Sequence, residues 1–386
     1  EGEMKISGWI SVATFFCLLI FSNAAMAETC SLDSASVFKT ASNVSMPLNI
    51  SSIAVSNDIP DGTIIYQQKY IPGYSSISVN CDESRSWYYV MSLTNTPMPL
   101  SSWTGTIISH ESWVAEYSWD GYIYETGIPG IGITISMMSV RRPAPGIVGT
   151  NCFASKSCTD TGMKARAIIA LVKTGPISAG VINAGNFPTM KVALGREATN
   201  ITLYTLSFTG SLNVTLPTCT TPDFNVSLGK WTTEHFTGKG SSTPWVAANI
   251  VLSNCGDFIG SNVSGDMSDG NYWSDNGSSF SSTMQWNTWS ITLSPVSSVL
   301  DSASGIMSVD TSVPSAATGI GIQISSGDTT SADSHIIDFG NALTGTFNSD
   351  GSSSVTIPLS ARYIQTEDSV TAGMANGKLV YTISYY

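Results

Sequence analysis

Leu379, Tyr381, Ile383 and Tyr385 alternate with Val380, Thr382, Ser384 and Tyr386 in the closing stretch of the chain. That period of two is the mark of a strand with one apolar face. Similar short runs recur at Ile64–Tyr66, Trp87–Val90, Ile131–Ile135, Ile201–Leu206 and Ala248–Leu252. They are rich in β-branched and aromatic residues and mostly bounded by Gly, Pro, Asn, Asp or Ser, so each predicts a strand. Met163 to Val172 is rich in Ala, yet it is flanked by turn residues and contains Ile-Ile and Leu-Val, and it too reads as strand. Many short strands with such punctuation predict an all-β protein of sandwich or barrel type.

The beginning of the sequence departs from this pattern. Read from Met4, Lys5 precedes an apolar run from Trp9 to Ser22 and then Ala25-Met26-Ala27. That layout predicts a secretory signal peptide over residues 4–27, cleaved after Ala27. The run falls short of the roughly 18 to 20 residues that a bilayer span needs. Cys17 lies inside it, leaving Cys30, Cys81, Cys152, Cys158, Cys219 and Cys255. An even number in an exported chain predicts disulfides, and sequential pairing keeps each bridge within one module. No Cys or His pair has metal-ligand spacing, and no cofactor is implied.

The length beyond Ala27 exceeds what one core ordinarily serves, so two domains are expected. Thr209-Gly210-Ser211 through Thr218 carries no charge and opens on a turn signal. It reads as a linker over 209–218, between a domain over 28–208 and another over 219–386. Gly256 to Ser282 reads as a large loop or hairpin insertion within the second domain. Charged residues make up only 11% of the chain and the net charge is −12, which argues against nucleic acid as a partner.

Two groups of motifs add a family resemblance. The first is Cys219, then Asn225-Val226-Ser227-Leu228-Gly229, then Trp245 to Cys255. The second is Val355-Thr356-Ile357-Pro358-Leu359-Ser360-Ala361-Arg362-Tyr363, Val370-Thr371-Ala372-Gly373 and Leu379 to Tyr386. Together they resemble the pilin domains of chaperone–usher fimbriae. The resemblance implies an immunoglobulin-like sandwich that lacks its last strand, completed first by a periplasmic chaperone and then by the adjacent fimbrial subunit. On it, Leu379, Tyr381, Ile383, Tyr385 and Tyr386 border the groove that accepts the donor strand. The terminal strand is explained in this way, and an open hydrophobic edge also accounts for a chaperone requirement.

The order of signal, N-terminal β domain, short linker and pilin domain resembles two-domain fimbrial tip adhesins. Thr126-Gly127-Ile128-Pro129-Gly130-Ile131-Gly132 and Ala167 to Ile182 resemble segments of their receptor-binding domains. The expected fold is therefore two immunoglobulin-like β-sandwich domains in tandem. The resemblance implies export through the periplasm and the outer-membrane usher to the fimbrial tip at the cell surface, with a host glycan or extracellular-matrix receptor. Mannose-binding adhesins of type 1 fimbriae carry an aromatic residue at the mature N-terminus, whereas this one is expected to begin Glu28-Thr29. The Pro129–Gly132 segment leans toward type 3-like adhesins and leaves a protein ligand such as collagen open.

Shallow lectin sites combine carboxylates and amides with an aromatic ring. Trp103, His110, Trp119, Asp120 and Tyr122 supply those groups most densely, with Asp120-Gly121 as a hairpin turn that places its neighbours at a tip. Trp113 and Tyr117 read better as core, and Arg141-Arg142 as a solvated pair. An enzyme is not expected. No G-x-S-x-G elbow is present, and Val114 stands where H-E-x-x-H needs its second histidine. A secreted glycoside hydrolase remains the enzyme alternative, since its two acids can lie far apart in sequence. A minor or adaptor fimbrial subunit without receptor binding is the nearer one.

Overall fold

The computed structural model describes residues 30–108, 119–137, 143–150, 152, 155–161, 165–195, 201–258, 271–280, 287–348 and 352–386. The described secondary structure is almost entirely strand, with a few single-turn 3-10 segments such as Ala184–Asn186. The all-β expectation therefore holds. Its physical basis is the scarcity of charged helix faces and the abundance of β-branched and turn residues.

Most expected strands are present. Ile64–Ile71, Tyr88–Asn95, Ile131–Met137, Ile201–Thr209 and Ile250–Leu252 are all strands. The Ala-rich stretch is strand over Ala167–Lys173, while residues 162–164 lie outside the described set. Ile131–Met137 and Ala167–Lys173 are buried at every position. They are paired to each other and covered on both faces, which is why Ala167–Val172 runs continuously apolar and why even the alternating small and polar Gly132, Thr134 and Ser136 of the other strand are buried.

Two sheets face each other across the larger core. One is six-stranded, in the order Ser279–Phe280, Tyr272–Ser274, Ile64–Ile71, Ala167–Lys173, Ile131–Met137, Tyr124–Glu125. The other is five-stranded, in the order Ser42–Pro47, Ile201–Thr209, Thr189–Gly195, Tyr88–Asn95, Gly146–Gly149. Tyr66, Ile133, Ile169 and Leu171 of the first share a cluster with Tyr89, Val192, Leu203 and Leu206 of the second. Tyr70 and Tyr204 join the sheets edge-to-face, with ring centroids 4.8 Å apart. The outer face of the first sheet carries its own small cluster of Ile64, Ile107, Trp119, Ile123, Ile168, Ala170 and Val172.

A second large cluster gathers Ile250, Leu252, Ile291, Leu293, Met307, Ile322, Val355, Ile357 and Leu359. Around it lie a five-stranded sheet containing Leu359–Gln365 and Ile320–Ser326, the pair Ile250–Leu252 with Val355–Ile357, and a three-stranded sheet in the order Leu343–Thr346, Thr288–Pro295, Leu379–Tyr385. The motif residues have structural work here. Tyr363 donates its hydroxyl to the Ala375 carbonyl at 2.8 Å. Arg362 lies 4.1 Å over the Trp245 ring and pairs with Asp333 at 3.1 Å. Gly373 packs so closely that a Cβ there would meet the Ala317 nitrogen at 2.4 Å. The disulfides are Cys30–Cys81, Cys152–Cys158 and Cys219–Cys255, the sequential pairing.

Two segments differ from expectation. Ser211–Thr215, expected within a linker, is a strand that pairs with Gly180–Asn183 and Ser52–Ala54. Its Leu212 and Val214 are buried in the first cluster, so burial of two alternating apolar residues outweighs the uncharged, linker-like composition. The Gly256–Ser282 insertion contains a hairpin, Tyr272–Ser274 with Ser279–Phe280, but the hairpin docks on the other core. Tyr272–Ser274 adds in parallel to the edge of Ile64–Ile71, pairing Lys69 with Tyr272 and Tyr70 with Trp273. The Tyr70 hydroxyl donates to Asp275 at 3.1 Å, and Trp273 stacks on Tyr70 at 6.2 Å.

This docking makes the Ile64–Ile71 strand internal, and without it a long apolar edge would be open to intermolecular pairing. A fragment spanning residues 28–218 is therefore expected to aggregate, whereas the same fragment fused to residues 271–280 stays monodisperse by size-exclusion chromatography. Leu171→Ala, at a fully buried position, is expected to cost about 2–5 kcal/mol in denaturant unfolding of the full chain.

Candidate functional site: an open strand edge

The Leu379–Tyr385 strand is antiparallel to Thr288–Pro295, with Trp289 opposite Tyr385, Ile291 opposite Ile383 and Leu293 opposite Tyr381. Among the described residues no strand lies on its other side. Thr288 and Tyr386 exchange both backbone hydrogen bonds at 2.8 Å. Antiparallel ladders alternate between bonded and non-bonded pairs, so Val380, Thr382, Ser384 and Tyr386 bond inward. The backbone N–H and C=O groups of Leu379, Tyr381, Ile383 and Tyr385 consequently point to the open side.

Those four residues also carry the apolar face. Leu379, Tyr381, Ile383 and Tyr385 pack against the second cluster but are only half-buried, while Val380 on the opposite face is 46% exposed. Their partial exposure is the side-chain counterpart of the missing backbone partner. Burial raises the Tyr381 phenol above its ordinary pKa, with the nearby Asp223 carboxylate adding to the shift. Burial does the same for Tyr385.

Across the open side runs the segment from Cys219 to Trp231, which forms no strand over residues 221–231. Tyr381 donates its hydroxyl to the Pro222 carbonyl at 2.9 Å, and the Cys219 N–H donates to the Tyr385 hydroxyl at 3.4 Å. Phe224 sits 6.4 Å from the Tyr381 ring and is 44% exposed. Val226 and Leu228 turn inward onto the cluster, half-buried. Asn225-Val226-Ser227-Leu228-Gly229 is the stretch that carried part of the resemblance in the sequence. The apolar side chains of Phe224, Val226 and Leu228 lie beside the strand's half-buried face. At the Tyr385 end, Phe258 and Phe347 stack at 3.9 Å with a 2° interplanar angle, and Tyr385 leans on Phe258 at 5.1 Å.

The aromatic candidates of the first core do not converge on an exposed tip. Trp119 is 1% exposed and belongs to the outer cluster of the first sheet, so its indole is a packing group and not a ligand platform. Trp103 and Tyr122 lie half-buried against that cluster. Asp120 is exposed at the turn and accepts the Gly105 N–H at 3.0 Å, which fixes the loop. His110, Trp113, Tyr117, Arg141 and Arg142 lie outside the described residues. Within Thr126–Gly132 the Thr126 hydroxyl donates to the Ile131 carbonyl at 2.9 Å, so this segment is a stapled turn. Asp58 and the docking of the 271–280 hairpin carried no signal in the sequence, since each acts only through contacts distant in the chain.

Residues 206–386 match the family model described as Fimbrial protein. No curated protein matches the chain. Among solved structures, the CupB6 tip adhesin from Pseudomonas aeruginosa is 16% identical with a TM-score of 0.35, over 92% of this chain and 94% of that one. The CsuC–CsuE chaperone–tip adhesion subunit complex of Acinetobacter baumannii gives 12% identity and a TM-score of 0.25, over 92% and 99% of the two chains. The P pilus rod subunit PapA gives 14% identity and a TM-score of 0.30, over 44% of this chain and 99% of that one.

Replacing Trp119 by Ala is expected to destabilise the protein by about 3–5 kcal/mol in thermal or urea unfolding, as loss of a buried aromatic does. Asp120→Ala, at an exposed turn, is expected to change stability by less than about 1 kcal/mol in the same assay.

Proposed function

We propose that the protein is a fimbrial tip adhesin, exported through the periplasm and assembled by strand addition at the Leu379–Tyr385 edge. The observation that carries this reading is the unpaired backbone of Leu379, Tyr381 and Ile383 above a half-buried apolar face. Such an edge has the chemistry that β-strand addition uses: main-chain groups give affinity, and alternate apolar side chains pack on that face. The fimbrial-domain match over residues 206–386 supports the same site. A periplasmic chaperone, the outer-membrane usher and a neighbouring fimbrial subunit are the partners that this mode of assembly calls on.

A host glycan or matrix receptor belongs to the part of the chain that precedes the fimbrial domain. That part has its own large core and two of the three disulfides, so its folding is not explained by subunit assembly alone. Asp120 at the exposed turn is the receptor-facing group, with half-buried Trp103 and Tyr122 and buried Trp119 packed behind it.

Periplasmic expression with and without a fimbrial chaperone tests the assembly. Soluble chain is expected to accumulate at least about tenfold more with chaperone, and Ile383→Asp is expected to abolish that gain by placing a charge on the strand's buried face. Equal solubility without any chaperone would refute the assembly reading. Separately, the full chain held with its chaperone is expected to bind an immobilised glycan or matrix protein saturably, with affinity reduced by Asp120→Ala. Absence of binding to either class would point to an adaptor subunit.

A further inference from the structure

One outward amide of the open edge is already occupied. The Tyr385 N–H donates to Asp58 Oδ2 at 3.0 Å, across 327 positions of sequence. The outward amides of Leu379, Tyr381 and Ile383 have no partner among the described residues. Asp58 sits in a loop of the first core, and that loop is held on both sides. Asn57 Nδ2 donates to the Ile177 carbonyl at 3.2 Å and the Ile177 N–H returns to Asn57 Oδ1 at 2.6 Å. The Asp58 N–H itself donates to the Ser56 hydroxyl at 3.0 Å. Close to Tyr385, the Asn287 side chain donates to the Ala54 carbonyl at 3.5 Å, while the Asn287 N–H donates to the Phe258 carbonyl at 3.0 Å. The Asp58 loop and the strand end at Ala54 just before it thus both bond the region around Tyr385, which places the carboxylate in advance.

We propose that Asp58 is the end stop of the strand-accepting edge: it limits an incoming strand to Leu379–Ile383 and so fixes the register in which that strand pairs. The proposal rests on the strand-addition reading above. An added strand that continued to Tyr385 would bring a carbonyl oxygen to the single N–H that the carboxylate already holds, setting two acceptors against one donor. The side-chain layer closes at the same point, since Tyr385 already leans on the stacked Phe258 and Phe347. The strand that fits is therefore an extended segment with apolar residues at alternate positions, presenting at the Asp58 end a hydrogen-bond donor or a cation and not a carbonyl. A one-step slip would turn its apolar residues away from the half-buried face, so a fixed end determines which side chains of the partner are read.

Residue-resolved amide exchange on the isotopically labelled full chain tests this, with a synthetic peptide of alternating valine and threonine as the added strand. In the free protein the Tyr385 amide is expected to exchange at least about tenfold slower than those of Tyr381 and Ile383. Asp58→Ala is expected to remove that difference, and Asp58→Asn, which keeps an acceptor oxygen, to retain most of it. Saturating peptide is expected to protect Tyr381 and Ile383 in both proteins, and to protect Tyr385 further only in Asp58→Ala. If peptide protects Tyr381, Ile383 and Tyr385 alike in both proteins, the end stop is wrong while strand addition stands. If it protects none of the three in either, the strand-accepting reading fails and the end stop with it.

Discussion

A β-strand has two edges of hydrogen-bonding groups, and each edge must find a partner, a cover or water. This requirement organises the molecule. The Ile64–Ile71 strand, with six of its eight residues buried, would expose a long apolar edge if left alone. The chain covers it with a hairpin brought from more than two hundred residues away in sequence. The Leu379–Tyr385 strand meets the same requirement differently: one edge is paired with Thr288–Pro295, and the other is left open and capped only at its end by Asp58. One edge is closed within the chain, and the other is the one proposed to accept a strand from outside it.

The two solutions are linked because both join the same two cores. The hairpin leaves the second core between Ile250–Leu252 and Thr288–Pro295 and pairs with the first sheet. The Asp58 loop reaches the other way and holds Tyr385 and Asn287. Tension along the chain between the cores would load a parallel strand pair and a set of side-chain bonds, not a slack linker. Events at the Leu379–Tyr385 edge therefore have a hydrogen-bonded route to the first core. The route runs through Tyr385 and Thr288, which stand next to both contacts.

Burial also explains why the aromatic candidates divide as they do. Trp119 follows a turn-poor stretch and precedes Asp120-Gly121, which made it look like a tip residue. In three dimensions the turn folds back over the outer face of the Ile64–Ile71 and Ala167–Lys173 strands, and the indole fills the small cluster there. An indole beside a turn signal has two fates, platform or plug. The apolar outer face of Ile64, Ile168, Ala170 and Val172 decides for the plug, because those side chains would otherwise face water.

The all-β class, most strands, the sequential disulfides and the alternating face of Leu379–Tyr385 were legible in the sequence, because each rests on local chemistry: period-two patterning, turn residues and cysteine parity. The family motifs were legible for the same reason, since Tyr363 and Gly373 meet structural demands that recur wherever that strand and turn recur. The strand at Ser211–Thr215 was hidden by its uncharged, linker-like composition, although Leu212 and Val214 already alternate there. What only the tertiary structure decided was partnership across distance. The hairpin's docking on Ile64–Ile71, the burial of Trp119 and the capping of Tyr385 by Asp58 all depend on which surfaces meet after folding. Local pattern specifies which face of a strand is apolar, but the partner on an edge is chosen by the global arrangement of the chain.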